Sequence, residues 1–396
     1  MQEHSMRAPP LVSVVMANFE AGSKIVPALR SVLGQSLGDL EIIVSDDGSR
    51  DDSMALVRQM MAEDDRIRLV TAAANGGPAR CRNRALEVAR GDWIAIVDSD
   101  DIIHPERFER LLAAAASHHA DIVADDLLLF FEDGSAPRLM LGDDAGHAFL
   151  VPTERWLLGG LDGSPALGYL KPLIRTSALR GLRYDENLRI GEDHDLVLRL
   201  LLGGARMLVV PEPFYLYRRH SGSISHRLSV HDLEAMIDRQ AVLLAGHGAL
   251  GDHVTSAFAR REAALRRGLG YERLVKSLKG RRPGAALGLL ARDPTHLGRL
   301  WNSFIEGRRR RVRTAPTIVS PMLQLGGHEG IAVPDYVPVA MTDWAAARPR
   351  QPWLDLAAQR GLGPVRCIAL DAAGRYAAGF IPEAEIAAPE RVREMA

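Results

Sequence analysis

The chain reads as an α/β protein, a doubly wound and mostly parallel sheet followed by a helical, basic extension. Three observations predict this. Short runs rich in valine and isoleucine recur at residues 11–16, 40–44 and 93–97, as strands buried on both faces do. Stretches with apolar residues three and four apart separate them. An acidic cluster follows each of the second and third runs, at the strand carboxyl ends where open parallel sheets bind ligands.

In order, the spacing predicts a strand over 11–16, a helix over 25–37, a strand over 40–44, and helices over 53–61 and 79–89 before the strand at 93–97. Alternation of strand and helix favours right-handed parallel crossovers. A further strand is expected over 121–131, an ordered stretch over 167–174, and a helix over 193–202. Residues 209–217 read as extended and are punctuated by Pro211 and Pro213. From 231 to 313 the composition turns to Ala, Leu and Arg and reads as helical, while the segment beyond Pro316 has no assignable fold.

The 396 residues exceed one ordinary domain of about 100–200 residues. Two cysteines, Cys81 and Cys367, stand far apart with no Cys-x-x-Cys pair, which argues against a disulfide framework and for a reducing, cytoplasmic setting. The amino-terminal segment lacks the apolar stretch of a signal peptide, and no run of about 18 apolar residues suggests a membrane span. The net charge of −1 hides a split: residues 260–313 hold sixteen Lys or Arg against four Asp or Glu, +12, leaving −13 elsewhere. A nucleic-acid-coated surface is thereby excluded, whereas a local basic patch is not.

No Gly-x-Gly-x-x-Gly follows the first strand and no Gly-x-x-x-x-Gly-Lys occurs, which disfavours hydride-transfer cofactors and P-loop ATPases. Asp98-Ser99-Asp100, with Asp101 beside it, offers the hard oxygen ligands that suit magnesium or manganese bound together with substrate phosphates. The same aspartates equally suit the cap of a helix starting near His104-Pro105-Glu106. Asp46-Asp47-Gly48-Ser49, taken alone, reads as a turn.

Taken together and in order, these motifs resemble a known family. The segment Val12-Ser13-Val14-Val15-Met16-Ala17-Asn18-Phe19, the segment Val44-Ser45-Asp46-Asp47-Gly48-Ser49, Asn75-Gly76-Gly77 with Arg82-Asn83, and Asp98-Ser99-Asp100-Asp101 are similar to the inverting family-two glycosyltransferases of GT-A fold. Gly191-Glu192-Asp193-His194-Asp195 resembles that family's Glu-Asp motif. The segment Tyr217-Arg218-Arg219-His220-Ser221-Gly222-Ser223 resembles the stretch that closes the active site in bacterial members. The likeness covers residues 10–228, as a catalytic domain at 1–228 with a donor half over 10–125 and an acceptor half over 126–228. It leaves a helical basic extension at 229–315 and an unassigned region at 316–396.

The resemblance implies a metal-dependent glycosyltransferase using Mn2+ or Mg2+ that moves a sugar, with inversion, from a UDP-sugar to a glycan or lipid-linked acceptor in cell-surface polysaccharide assembly. Asp193 would be the catalytic base, with Glu192 its competitor, since adjacent residues at a helix start point apart. The nucleotide sugar would meet Ala17, Phe19, Asp47, Arg82, Asp98 and Ser99. Asp100 would ligate the metal, Glu192, Arg219 and His220 would lie on the acceptor or phosphate side, and His220 is a second metal candidate. Phe19 and Glu20 stand where the family commonly has Tyr and Asn. Trp156, Tyr169 and Lys171 are candidates for an acceptor pocket, although buried Trp is the commoner state.

Two rival classes, a sugar nucleotidyltransferase and a non-catalytic nucleotide-sugar-binding protein, are disfavoured. The first strand lacks the Gly- and Arg-rich loop of the one, and Asp98, Asp100 and Asp193 are intact against the other. Leu297, Leu300, Trp301, Phe304 and Ile305 form one apolar stripe ahead of Arg308-Arg309-Arg310-Arg311-Val312-Arg313. That pairing suits the anionic inner face of a membrane, with a packed helix or an oligomer contact as the alternatives.

Overall fold

The computed structural model describes residues 8–131, 138–142, 146–161, 163–219 and 228–301, together with the backbone of short strands at 323–325, 365–368 and 385–387. The first half alternates as β1 (Val12–Asn18), α1 (Ile25–Leu33), β2 (Leu40–Asp46), α2 (Ser53–Glu63), β3 (Ile67–Thr71), α3 (Pro78–Leu86) and β4 (Trp93–Ile96). Pairing is parallel throughout, β1 with β2 and β4, and β2 with β3. Val12, Val14, Val15 and Met16 of β1 are fully buried, which is why its run is uninterruptedly apolar. The helix expected over 25–37 stops at Leu33 because Gly34 takes the cap position.

The second half brings β5 (Ile102–Ile103), α4 (Arg107–His118), β6 (Ile122–Phe131), β7 (Arg138–Leu139), β8 (Phe149–Leu150), α5 (Thr153–Leu158), β9 (Leu173–Arg175), α6 (Thr176–Leu179), α7 (Glu192–Leu202) and β10 (Met207–Arg219). The central order is β3-β2-β1-β4-β9-β6-β10-β5. β9 inserts antiparallel between β4 and β6, while β6 and β10 run parallel. The long ladders are parallel and the antiparallel ones are two or three residues, so the sheet is mixed but keeps its parallel character. Its β6–β10 register shifts between Val210 and Tyr215, where Pro211 and Pro213 cannot donate to a ladder.

The helical extension comprises α8 (Val230–Gly246), α9 (Asp252–Lys279) and α10 (Pro283–Arg292). It is no satellite: Leu243, Ala257 and Phe258 belong to the same buried cluster as the strands, and burying a phenylalanine is worth about 1.5–3 kcal/mol. α8 starts at a capping box, Ser229 and Asp232 bonding reciprocally. Among the described residues no helix is long and apolar enough to cross a membrane. Leu297 and Trp301 of the apolar stripe are exposed, and Phe304, Ile305 and the arginines at 308–313 lie outside the described residues.

Candidate active site

The parallel strands end at a cleft of about 1360 Å³. Asp46 and Asp47 close β2, and the cleft takes only the second. Asp46 is buried beneath the turn, accepting from Asn18 Nδ2 at 2.7 Å and from the Gly48 and Ser49 amides at 3.1 and 3.0 Å. Asp47 faces the cleft wall, its Oδ2 held by the amides of Gly76 (2.8 Å) and Gly77 (2.7 Å) and its Oδ1 reached by Arg84 at 3.2 Å. Gly77 has φ +90, which glycine adopts without strain. That geometry explains the Asn75-Gly76-Gly77 motif as a backbone cradle for Asp47.

The turn after β4 sorts its three aspartates by partner. Asp101 is buried against β10, accepting from the Tyr215 hydroxyl at 2.8 Å and the Arg218 amide at 2.7 Å. Burial, with the charges of Asp100 and Asp98, pushes its carboxyl well above the usual range. Asp98 pairs with Lys171 Nζ at 2.7 Å and Arg82 at 3.3 Å. Burial alone would raise Asp98, but those two cations outweigh it and hold the carboxyl down at about 2. Asp100 lines the cleft, its carbonyl taking Arg218 Nε at 2.8 Å.

Across the cleft, Glu192 and Asp193 open α7, where the positive helix end favours anions. Both meet the buried Arg82 guanidinium, Glu192 at 2.6 Å and Asp193 at 3.4 Å. The two carboxylates therefore do not point apart as adjacency suggested; they differ in exposure, 8% for the Glu192 side chain against 22% for Asp193. Burial first, and then the Asp193 charge, raises Glu192 to about 7 against the pull of Arg82. Asp195 is structural, clamped by Arg199 and Arg239 at 2.8 Å each.

Ala17, Phe19, Asp47, Arg82, Asp98, Ser99, Asp100, Glu192 and Asp193 thus all line one cleft. Phe19 is 47% exposed, an open ring beside the strand ends. Arg219 does not line it. Tyr217 and Arg218 of β10 reach the cleft wall, while Arg219 lies over the rings of Tyr169 and Tyr217 at 5.7 and 5.9 Å. His220 lies outside the described residues. Trp156 is core, 2% exposed and stacked on His194, whereas Tyr169 and Lys171 do line the cleft. Sequence reasoning missed Arg84, two residues beyond Arg82 on α3, and the whole inward face of α8.

Among the described residues no group of three His, Cys, Asp or Glu converges as a metal cluster. The donor set still fits a cation that takes one or two protein carboxylates and completes its shell with substrate phosphates. Asp98 and Asp100 are the carboxylates of this turn that line the cleft, Asp98 paired with Lys171 and Arg82, whereas Asp101 is buried against Tyr215.

The mixed sheet with an acidic cleft beyond its parallel strand ends has the GT-A fold. The chain overlays on S. aureus TarS residues 1–349 with a TM-score of 0.53, 22% identity, and coverage of 70% of this chain and 79% of that one. The UDP-GlcNAc complex of the same protein gives 0.51, at 66% and 71% coverage. Residues 13–169 match the model of glycosyl transferase family 2. The succinoglycan biosynthesis protein ExoO of Rhizobium meliloti strain 1021 is 34% identical over 312 residues, 76% of this chain and 87% of that protein. ExoU of the same organism is 30% identical over 334 residues, 81% and 94% respectively. The chain belongs to glycosyl transferase family 2 and is a glycosyltransferase.

Proposed function

We propose that the protein is an inverting, metal-dependent hexosyltransferase that carries a sugar from a UDP-sugar to a glycan or lipid-linked acceptor in surface-polysaccharide assembly. The observation that carries this is Asp193, the more exposed of two carboxylates at the start of α7, on the wall of the cleft that also presents Phe19, Asp47 and Asp98. Inversion needs a single displacement: the acceptor oxygen bonds to the anomeric carbon, the bond from that carbon to the diphosphate breaks, and a base takes the hydroxyl proton. Asp193 receives the proton. Arg82 orients Asp193 and Glu192 and links them to Asp98. Asp100 with the donor phosphates would hold Mn2+ or Mg2+, which when bound supplies electrostatic stabilisation of the departing diphosphate.

The UDP-GlcNAc complex of TarS and the succinoglycan names of two relatives support the donor and the pathway class. Exposed Leu297 and Trp301 beside the basic window support a peripheral place at the inner face of an anionic membrane. The test is a screen of nucleotide sugars for metal-dependent nucleotide release, run on the wild type and on Asp193→Asn. UDP release with added Mn2+ or Mg2+ is expected, and loss of a general base should lower transfer by roughly 10²–10⁴-fold while donor binding persists. Undiminished transfer by the variant would remove Asp193 from its role.

A further inference from the structure

We infer that the inward face of α8 is the saccharide-binding wall of the acceptor site, built for an uncharged, hydroxyl-rich sugar chain. The inference rests on the glycosyltransferase reading above and adds the site and class of its second substrate. His231, Glu234, Ala235, Asp238 and Val242 recur three and four residues apart, which places them on one helix face, and all five line the cleft that holds Asp193. The helix lies beyond residue 169, where the family match ends.

α8 is fixed to the catalytic turn through Asp232, Met236 and Arg239, of which Arg239 also lines the cleft. Asp232 accepts the Arg189 guanidinium at 3.1 and 3.0 Å. Arg239 reaches Asp195 at 2.8 Å and Asp185 at 3.1 Å. Met236 lies so close to Gly191 that a Cβ there would fall 2.6 Å from its Cε. His231, Asp238 and Val242 take no part in this anchoring. His231 and Asp238 are exposed and bond to no other described side chain, and Val242 is 58% exposed, a large apolar surface on a cavity wall.

A carboxylate and an imidazole beside an aliphatic patch match a sugar, whose hydroxyls donate to the one while its C–H face covers the other. The charge decides against an anionic acceptor. The arginines of this wall, Arg189 and Arg239, are already matched by Asp232, Asp195 and Asp185, and Glu234 is shared with Arg273 at 2.7 Å. Asp238 is left as negative charge facing the cleft, which repels a uronic acid or phosphate group.

The test measures binding of neutral gluco- and galacto-oligosaccharides, and of a uronic-acid oligosaccharide of equal length, to the full chain in the presence of UDP, by saturation-transfer NMR and titration calorimetry. The neutral sugars should bind and the acidic one more weakly. Asp238→Ala and Val242→Asp should each weaken neutral-sugar binding by roughly five-fold or more, about 1 kcal/mol, with UDP affinity unchanged. Absence of neutral-sugar binding, unchanged affinity in both variants, or tighter binding of the acidic sugar overturns the inference. Failure of UDP itself to bind would instead overturn the UDP-sugar donor reading on which the inference rests.

Discussion

Glu192 and Asp193 share one guanidinium, and of the two Glu192 is the more deeply buried. Burial raises Glu192 to about 7 from an ordinary 4.5. Between those values the folded chain keeps a proton that the unfolded chain has released, so this group favours the fold at low pH and that favour is lost as pH rises through the window. Glu192→Gln cannot ionise. The gap in thermal midpoint between about pH 5 and about pH 8 should therefore be smaller in the variant than in the wild type; an equal gap would mean that Glu192 titrates normally. At this scale much of the site was legible, since Asp47, Asp98, Asp100 and Asp193 sit in local motifs at strand or helix ends. Partners were not. Nothing adjacent in the chain tells that Lys171 neutralises Asp98, or that Arg82 reaches both Glu192 and Asp98, because those contacts are set by the insertion of β9 and the docking of α7.

The element that positions the base is the turn into α7, and Gly191 is its pivot. Its φ of +88 is a region that L-residues with a Cβ adopt at a cost of about 1–2 kcal/mol. A Cβ there would also crowd Met236 of α8. Gly191→Ala should lower kcat while leaving the KM for donor nearly unchanged, because the donor side lies on β2 and β4. Adding Met236→Ala removes the crowding but not the backbone strain, so steady-state kinetics should show partial recovery only; full recovery would assign the whole effect to the helix contact. Elements, too, were unequally legible. The runs of β1, β2 and β4 announce themselves because both faces are buried. The Ile-Arg-Leu-Val-Thr of β3 does not, since it is an edge strand paired only with β2 and mostly half-buried. β9, at three residues, owes its place to its neighbours alone, and a capping box marks where α8 begins without marking that one of its faces lines a cleft.

At the scale of the whole molecule, a buried ion pair ties α4 to β6. Arg107 and Asp125 are both fully buried, bonded through Nε at 3.1 and 3.0 Å and through Nη2 at 2.8 Å. Arg107 also donates to the carbonyl of Lys171 and lies 4.9 Å from the Tyr215 ring. The hydroxyl of Tyr215 bonds to Asp101 and Lys171 pairs with Asp98, so one core arginine supports both sides of the acidic turn. Removing it alone strands a carboxylate that burial already pushes upward, and Arg107→Leu should cost about 3–5 kcal/mol in denaturant unfolding. Replacing both, as Arg107→Leu with Asp125→Leu, removes two buried charges together and should restore most of that stability. Function should not return with it. The Lys171 carbonyl still lacks its donor, the Lys171–Asp98 pair loses its anchor, and the KM for donor should rise even though the double variant unfolds like the wild type. A double variant with normal stability and normal KM would show that the pair serves packing only, with no bearing on the cleft.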